Sequence, residues 1–291
     1  MTDLGEINSY LRVSITCDQS LRLLEINQSR YIQEIVNHFR MSDANPVHTP
    51  LPSGADTHLV KYEEQATASE IKAYQQVIGS LLYVQIGTRP DISFAVSHLA
   101  QYASNPSLQH MQLAKYVLAY LSSTSDLQLR YDGACGEGLH GYLDSSLRDQ
   151  ANDYHSTSGY VFLLANVAIS WCSRKQKTVA QSTTQAEYMA LANAANQATW
   201  YWSFLMELSY KVSDLIPLHG DNKGAVDLTL NPVTRRRSKH IPIKHHAIRE
   251  YVENGHIELI RTSTNDMLAD GLTKPHAHVQ LSNFVTGLGL T

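Results

Sequence analysis

The order of strand-like and helix-like segments in the second half of the chain most constrains how it can fold. Three short segments come first, rich in β-branched and aromatic residues and separated by turn-forming residues; they cover 139–143, 159–164 and 168–172. Alanines then recur at every fourth position from Ala186 to Ala198, which is the spacing of one helix face. A strand near Leu218, helices through Tyr251 and an alternating segment at 256–261 follow. This order predicts a mixed α/β domain around one sheet.

The first half of the chain has a different pattern. Residues 11–26 are alternating or mostly apolar and residues 30–39 have helical spacing, so short strands and then a helix are expected. Prolines end regular structure after this helix, and the polar stretch at 54–68 is typical of a linker. Helical periodicity then runs through residues 69–123, punctuated by two prolines, which predicts a small helical unit.

Composition and charge limit the class of protein. A chain of 291 residues with 43% hydrophobic and 17% charged residues is typical of a folded protein with two domains. Cys17, Cys135 and Cys172 are odd in number and far apart, so we expect no disulfide framework or paired-cysteine zinc motif, and a reducing, intracellular setting. The longest apolar stretch, at 160–172, is interrupted by polar residues and too short to span a bilayer, so no membrane association is expected.

Basic residues are concentrated in two places, although the net charge is −4. Any contact with nucleic acid must therefore be local. The candidate nucleic-acid-binding residues are Arg174, Lys175, Lys177, Arg235, Arg236, Arg237, Lys239, His240 and His246. Runs of charge are more often simply solvated surface, and that alternative stays open. A zinc site built from the histidines is disfavoured, because paired cysteines and a His-Glu-x-x-His helix are both missing from the sequence.

Four acidic residues stand where a strand ends or a helix begins: Asp144, Glu187, Asp221 and Asp270. Each has an ordinary explanation, since Asp144 and Asp270 suit turns, Asp221 suits a helix cap, and Glu187 would fit a capping box with Thr184. Taken together, carboxylates at the ends of neighbouring strands can converge on one point. Such a set suits Mg²⁺, which takes oxygen ligands, and a pair of these ions catalyses phosphodiester hydrolysis.

Motifs along the chain resemble the Pol polyprotein of copia-type retrotransposons. In the first half, these are residues 74–83, 88–92 and 105–110, which are similar to the segment that joins reverse transcriptase to ribonuclease H. In the second half, the ribonuclease H motifs are residues 156–162, 169–171, 186–191, 221–222, 237–241 and 269–275. The chain thus resembles the C-terminal part of that family's Pol polyprotein.

The resemblance implies a fold, an activity and a site. It implies a ribonuclease H-like domain with a five-stranded mixed sheet and flanking helices, preceded by a small, mainly helical region. Asp144, Glu187, Asp221 and Asp270 correspond to the family's catalytic and metal-binding carboxylates. The implied reaction is hydrolysis of the RNA strand of an RNA/DNA hybrid with two Mg²⁺ ions, Mn²⁺ being the alternative metal.

The resemblance also divides the chain and suggests its partners. Residues 1–55 would be the end of the reverse transcriptase palm, residues 56–130 a thumb- or connection-like region, and residues 131–291 the ribonuclease H-like domain. The expected partners are the hybrid and the remainder of reverse transcriptase, in the cytoplasm within virus-like particles or in the nucleus. No polymerase activity is expected, because the chain begins after the place of the family's Tyr-x-Asp-Asp turn.

Two of the departures from the family pattern, Ser146 and Pro242, support an alternative function. Ser146 stands where the family usually has a second Asp, Leu147 where a Trp is common, and Pro242 replaces an Asp. Proline also fixes the backbone and removes an amide donor. The alternative is a noncatalytic, degenerate or co-opted remnant that binds nucleic acid without cutting it.

Overall fold

The computed structural model describes residues 5–55, 59–134, 137–147, 154–210, 215–230 and 247–291. The chain divides into two compact units, one of residues 1–135 with 275–291 and one of residues 136–274. The final helix, which the sequence assigned to the third domain, is grouped with the first unit, where Leu290 forms a β-bridge with Leu129. The functional names of the predicted domains remain predictions.

The first unit contains one antiparallel sheet and several helices. Its strands pair in the order β1-β2-β3-β4, where β1 is Ser9–Tyr10, β2 is Val13–Asp18, β3 is Leu23–Asn27 and β4 is Leu129–Asp132. Its helices are α1 (Ser29–His38), α2 (Ala68–Gly87), α3 (Ser93–Ala100), α4 (Leu108–Ser123) and the C-terminal α8 (His278–Gly287). The predicted early strands, the helix after them and the helical middle are all present.

A buried ion pair lies in the first unit, just where the sequence motif at 88–92 occurs. Arg89 and Asp91 have fully buried side chains, and Nη2 of Arg89 lies 2.6 Å from Oδ2 of Asp91. Tyr120 donates to the same carboxylate oxygen at 2.8 Å, and Arg89 also donates to the carbonyl oxygen of Thr124. The motif residues therefore have a structural role here, since each charge has its partner.

We expect Asp91→Ala to destabilise the protein by about 3–5 kcal/mol, because it leaves the Arg89 guanidinium buried without its counter-charge. Urea unfolding of the two proteins at neutral pH measures the difference. The control is Asp43→Ala, at an exposed aspartate of the same unit, which should change stability by no more than about 0.5 kcal/mol. Equal loss in the two variants would mean that the ion pair has no special role.

The second unit is built on a five-stranded mixed sheet with the order β7-β6-β5-β8-β9. β5 to β7 are antiparallel neighbours, whereas β5, β8 and β9 are parallel. The strands are β5 (His140–Ser146), β6 (Thr157–Leu164), β7 (Val167–Lys175), β8 (Ile216–Gly220) and β9 (Ile257–Arg261). The helices are α5 (Thr183–Glu207), α6 (Lys223–Leu230) and α7 (Ala247–Glu253). This confirms the predicted fold class, a mixed α/β domain with a five-stranded mixed sheet and flanking helices.

The alanine face of α5 packs on this sheet. Ala190, Ala194 and Ala198 share a buried core with Leu143 of β5 and Leu218 of β8. Small side chains allow the helix to lie close to the strands, and the burial of its apolar face stabilises both elements. Residue Glu187 of the same helix is thereby held near the end of β5.

A 3₁₀ helix, Leu268–Leu272, covers part of β5 and β6. A Cβ at Gly159 would come within 2.8 Å of Cβ of Leu272 and 2.9 Å of Cγ2 of Thr273, so this close approach requires glycine. Gly159 is the partner of Asp144 across the strands, and the 3₁₀ segment therefore passes directly over Asp144.

Two of the sequence-based exclusions concern membranes and cysteines. Among the described helices, none has the length and apolar character needed to cross a bilayer. Cys17 and Cys172 are free thiols, and Cys135 lies outside the described residues.

Candidate metal centre

The parallel pairing of β5 with β8 brings two of the predicted carboxylates together. Gly141 is opposite Leu218 and Tyr142 is opposite His219. Asp144 lies two residues after Tyr142, and Asp221 lies two residues after His219, so the register places them side by side at one end of the sheet. Asp144 is 7% exposed, and Asp221 follows the last residue of β8 at a partly exposed position.

Glu187 reaches the same point from α5. The helix begins at Thr183 and its cap is Ser182, whose side chain accepts a hydrogen bond from the backbone N–H of Gln185. The ordinary explanation of Glu187 as part of a capping box with Thr184 is therefore wrong, and Glu187 lies beyond the first turn of the helix. Ser182, which fits a capping box with Gln185 in the sequence, is the N-cap. Oε1 of Glu187 accepts from the backbone N–H of Ser145 at 3.1 Å. Its Oε2 is buried and has no hydrogen-bond partner among the described residues.

Asp221 does not cap α6, although its position in the sequence allowed that role. The side chain of Asn222 accepts from the backbone N–H of Ala225 at 3.0 Å and so caps α6. Asp221 instead accepts a hydrogen bond from the Thr264 hydroxyl at 2.9 Å. Its carboxylate is thus directed to the cluster and not to the helix that follows it.

The three carboxylates form one group. Each of Asp144, Glu187 and Asp221 offers an oxygen, and these oxygens all lie within 4.8 Å of one another. Burial, followed by repulsion from Asp144 and Asp221, raises the pKa of Glu187 to about 8. Burial is also the largest cause of the pKa of Asp144 rising to about 6. The group is therefore electrostatically strained without a cation.

Asp270 lies beside this group but is not within it. It stands in the 3₁₀ helix, and its Oδ1 is 2.6 Å from Nζ of Lys274. Burial is the largest cause of the raised pKa of Asp144, and the charge of Asp270 adds to it. Thr273 completes this side of the centre, since its hydroxyl donates to Oδ2 of Asp144. The structure thus gathers three of the four predicted carboxylates and pairs the fourth with a lysine.

The donor set fits a hard divalent cation. The group offers carboxylate oxygens alone, and the buried Oε2 of Glu187 is an acceptor for which the described part of the chain supplies no donor. Oxygen ligands of this kind are those that Mg²⁺ and Mn²⁺ take, while zinc prefers nitrogen and sulfur. A cation held by Asp144, Glu187 and Asp221 would satisfy the orphan oxygen and offset the repulsion.

Sequence reasoning assigned no role to the residues that support the carboxylates. These are Thr273, Lys274 and Thr264, with the backbone N–H of Ser145. A signal was available for two of them, because Thr273 and Lys274 lie in the motif at 269–275. For Thr264 and Ser145 the sequence offers none, since their contacts join segments about 40 residues apart.

The predicted nucleic-acid-binding residues are only partly described. Arg174 and Lys175 end the edge strand β7, and Lys177 follows it; Arg174 and Lys177 are exposed. The second set lies outside the described residues, namely Arg235, Arg236, Arg237, Lys239, His240 and His246. Their role remains a prediction.

Comparisons with known proteins give the family. No protein-family model matches the chain. The chain is 37% identical over 268 residues to the retrovirus-related Pol polyprotein from transposon RE1 of Arabidopsis thaliana, which covers 92% of this chain and 18% of the relative. It is 33% identical over 298 residues to the corresponding polyprotein from transposon TNT 1-94 of Nicotiana tabacum, covering 99% of this chain and 22% of the relative. The chain therefore spans about a fifth of the length of these curated relatives.

A solved structure was also found. It is the RNase H1 from the halophilic archaeon Halobacterium salinarum NRC-1, at 20% identity and a TM-score of 0.31, covering 47% of this chain and 94% of that one. A likeness of this size supports no statement on activity.

The sheet order, the helix packed on it and the carboxylates at its end define a domain of mixed α/β class with a candidate metal centre at one end of its five-stranded sheet. The chain as a whole belongs to the copia-type retrotransposon Pol family, as a fragment of such a polyprotein.

Proposed function

We propose that the second unit is a divalent-metal-dependent endonuclease that hydrolyses the RNA strand of RNA/DNA hybrids. The observation that carries the proposal is the convergence of Asp144, Glu187 and Asp221, with one buried Glu187 oxygen that has no hydrogen-bond partner in the described ranges. Family membership supports the substrate class, because Pol polyproteins of retrotransposons are this chain's relatives.

The roles of the residues follow from their positions. Asp144, Glu187 and Asp221 would hold Mg²⁺ or Mn²⁺, with Asp270 available on the Asp144 side. When bound, such a cation activates water and stabilises the leaving oxygen in phosphodiester hydrolysis. The Ser145 N–H and the Thr273 hydroxyl orient Glu187 and Asp144, and Thr264 orients Asp221. These hydrogen bonds hold the ligands in place before the substrate arrives.

The test is cleavage by the purified chain of a hybrid whose RNA strand is end-labelled, in Mg²⁺ and in Mn²⁺. We expect cuts in the RNA strand that leave a 3'-hydroxyl, with no cuts in double-stranded DNA or double-stranded RNA of the same sequence. Chelation of the metal should stop the reaction. A chain that binds the hybrid without cutting it would contradict the proposal.

The noncatalytic alternative rests on Ser146 and Pro242. Ser146 is the last residue of β5 and cannot supply the negative charge that the family usually has there, and Pro242 lies outside the described residues. Ser146→Asp decides between the two functions. If the parent is inactive and the Ser146→Asp variant cleaves the hybrid, the parent has kept the fold but lost the catalytic activity. If neither protein cleaves and both bind, the chain is a binding module.

Binding of the hybrid is proposed to involve the basic residues. Replacing Arg235, Arg236, Arg237 and Lys239 with Ala should weaken binding and lower the log–log salt slope by roughly 0.7–0.9 for each phosphate that is no longer neutralised. Affinity measured at roughly 50–200 mM salt tests this, because counterion release dominates binding in that range. Lys72→Ala, at an exposed lysine of α2, is the control. If the salt slope is unchanged in the variant with all four substitutions, this basic segment is ordinary solvated surface.

A further inference from the structure

The motif at residues 105–110 has no part in the proposed function, and its side chains contact the segment that the sequence predicts to be a linker. We call residues 59–66 of that segment the strap. The strap contains no helix or strand and leads to Thr67, the N-cap of α2. Its ends, Leu59 and Ala66, are buried, whereas most of the side chains between them are exposed. Its backbone polar groups therefore need partners from elsewhere in the first unit.

Asn105 supplies several of these partners. Its Nδ2 donates to the carbonyl oxygens of Tyr62 at 3.1 Å and Glu64 at 2.9 Å. Its Oδ1 accepts from the backbone N–H of Ala66 at 2.9 Å. One side chain thus makes the hydrogen bonds that a regular element would make within its own backbone, and it holds the second half of the strap in place.

The beginning of the strap is held by a pair of stacked rings. The hydroxyl of Tyr102 donates to the carbonyl oxygen of Leu59 at 2.9 Å. The ring of His110, which is 1% exposed, stacks on Tyr102 with ring centroids 4.0 Å apart and 17° between the planes. Because the stack fixes the orientation of Tyr102, a displacement of His110 would also loosen the bond to Leu59.

His110 caps α4 in a way that requires a neutral ring. Its Nδ1 lies 2.8 Å from the backbone nitrogen of Ser107, which can only donate, so Nδ1 is an unprotonated acceptor. The Ser107 hydroxyl accepts in return from the backbone N–H of His110 at 3.3 Å. The two residues form a capping box in which histidine takes the place of the usual Glu or Gln. Protonation of Nδ1 would remove the acceptor and place a charge in a buried site.

The surroundings of His110 offer no counter-charge for a protonated ring. Tyr74 of α2 and Tyr102 face the ring at centroid distances of 6.5 and 4.0 Å, and His98 of α3 lies 6.0 Å from Tyr102. Burial is the main cause of the lowered pKa of His110, and the backbone of Val60 partly opposes it. Among the described residues, no charged side chain contributes to this pKa. The closed arrangement therefore holds the neutral ring.

We propose that the motif at 105–110 is a latch that fastens the strap to the helices of the first unit, and that protonation of His110 opens it. Asn105 holds the strap, and His110 is the group that responds to pH. Because the closed state needs the neutral ring, the latch is closed at pH 7 and weakens as the pH falls below about 6.5, the ordinary value for histidine. An open latch turns this segment into the linker that its composition predicts. The inference does not depend on the proposed function.

The experiment measures amide hydrogen exchange in the full chain at pH 7 and pH 5, with rates corrected for the intrinsic effect of pH. The N–H groups of Ala66 and Ser107 report on the strap and on the cap of α4. For the parent we expect their corrected exchange to be about 3- to 30-fold faster at pH 5, where the upper limit follows from a pKa of about 6.5 in the open state. Amides of α1 should show no such change.

His110→Gln separates the titration of the ring from its hydrogen bond. Glutamine is an ordinary partner in a capping box and can accept from the Ser107 N–H without titrating. Exchange in this variant should therefore differ by less than about twofold between the two pH values. The control is His38→Gln, at an exposed histidine at the end of α1, which should keep the response of the parent.

Asn105→Ala tests the holding residue itself. It removes three hydrogen bonds to the strap, so exchange of the Ala66 amide should be at least about tenfold faster than in the parent at pH 7. Asn193→Ala, at an exposed asparagine of α5, is the matched control and should exchange like the parent. Circular dichroism spectra check that each variant is folded.

The parent alone can overturn the inference, because its comparison at two pH values needs no substitution. If the Ala66 amide exchanges equally at pH 7 and pH 5 after correction, protonation does not open the latch. If the response to pH persists in His110→Gln, another group is the sensor, and a loss of the response in His98→Gln would identify it as His98. If Asn105→Ala leaves the exchange of Ala66 unchanged, Asn105 does not hold the strap.

Discussion

Asp221→Asn is expected to lower metal-dependent cleavage of the hybrid by at least about a hundredfold, the usual scale for losing one charge-stabilising group in an active site. The amide keeps the size of the side chain but loses the negative charge that a divalent cation needs. Folding should survive, because Asn222 and not Asp221 caps α6. Hybrid affinity should stay close to that of the parent, since the residues that we propose to bind the hybrid are the basic ones and not Asp221.

The control for this prediction is Asp227→Asn, the same chemical change at an exposed position in α6. Cleavage rates, hybrid affinity and thermal midpoints of the parent and both variants are compared. If Asp221→Asn cleaves as fast as the parent, Asp221 is not a metal ligand. If it loses hybrid binding along with cleavage, its role is structural.

The metal-free protein is expected to lose stability as the pH rises from about 5 to about 8. Glu187 titrates near pH 8 in the folded protein, compared with an ordinary value of 4.5, and burial is the main cause of this raised pKa. Between these two values the folded protein keeps a proton that the unfolded chain has released, so the free energy of unfolding falls with rising pH. Asp144, whose pKa is raised from 3.8 to about 6, adds a loss in the lower part of this range. We expect a total loss of about 2–4 kcal/mol.

Mg²⁺ should reverse this loss at pH 8, because a cation favours the ionised carboxylates. Glu187→Gln removes one titrating group, so the metal-free variant should be about 2 kcal/mol more stable than the parent at pH 8 and should gain less from Mg²⁺. The matched control is Glu207→Gln, at an exposed position on the same helix, which should follow the parent. The measurement is urea unfolding at pH 5, 6.5 and 8 with and without metal. If the free energy of unfolding changes with pH in the same way for the parent and Glu187→Gln, Glu187 is not a source of electrostatic strain.

Local pattern was sufficient to predict most elements of the second unit. The β-branched and aromatic segments became β5, β6 and β7, and the four-residue alanine spacing became the buried face of α5. These predictions succeed because side chains alternate along a strand and repeat every 3.6 residues on a helix, whatever the tertiary context. The start of α5 was the exception. The sequence fits two capping boxes, Ser182 to Gln185 and Thr184 to Glu187, and the structure has Ser182 as the N-cap.

The motif at 88–92 shows a different limit. Asp91, just after Pro90, suits the first turn of a helix and so predicts one there, and the structure has a 3₁₀ helix at Pro90–Ile92. The local prediction was thus adequate, but the main role of Asp91 is its buried pair with Arg89 and its bond from Tyr120. Tyr120 is 29 residues away from Asp91, so no local rule could have joined them.

For the candidate site, the sequence by itself determined the four carboxylates and, through its motifs, the family. Only the tertiary structure decided how they are used. The register of β5 against β8 places Asp144 beside Asp221, and the packing of α5 brings in Glu187. The approach of the 3₁₀ helix over Gly159 sets Thr273 on Asp144 and leaves Asp270 paired with Lys274. The physical reason is that charge and hydrogen-bonding capacity are properties of each residue and can be seen in the sequence. The distances between these residues, which make them a binding site, depend on strand pairing and on packing between distant segments.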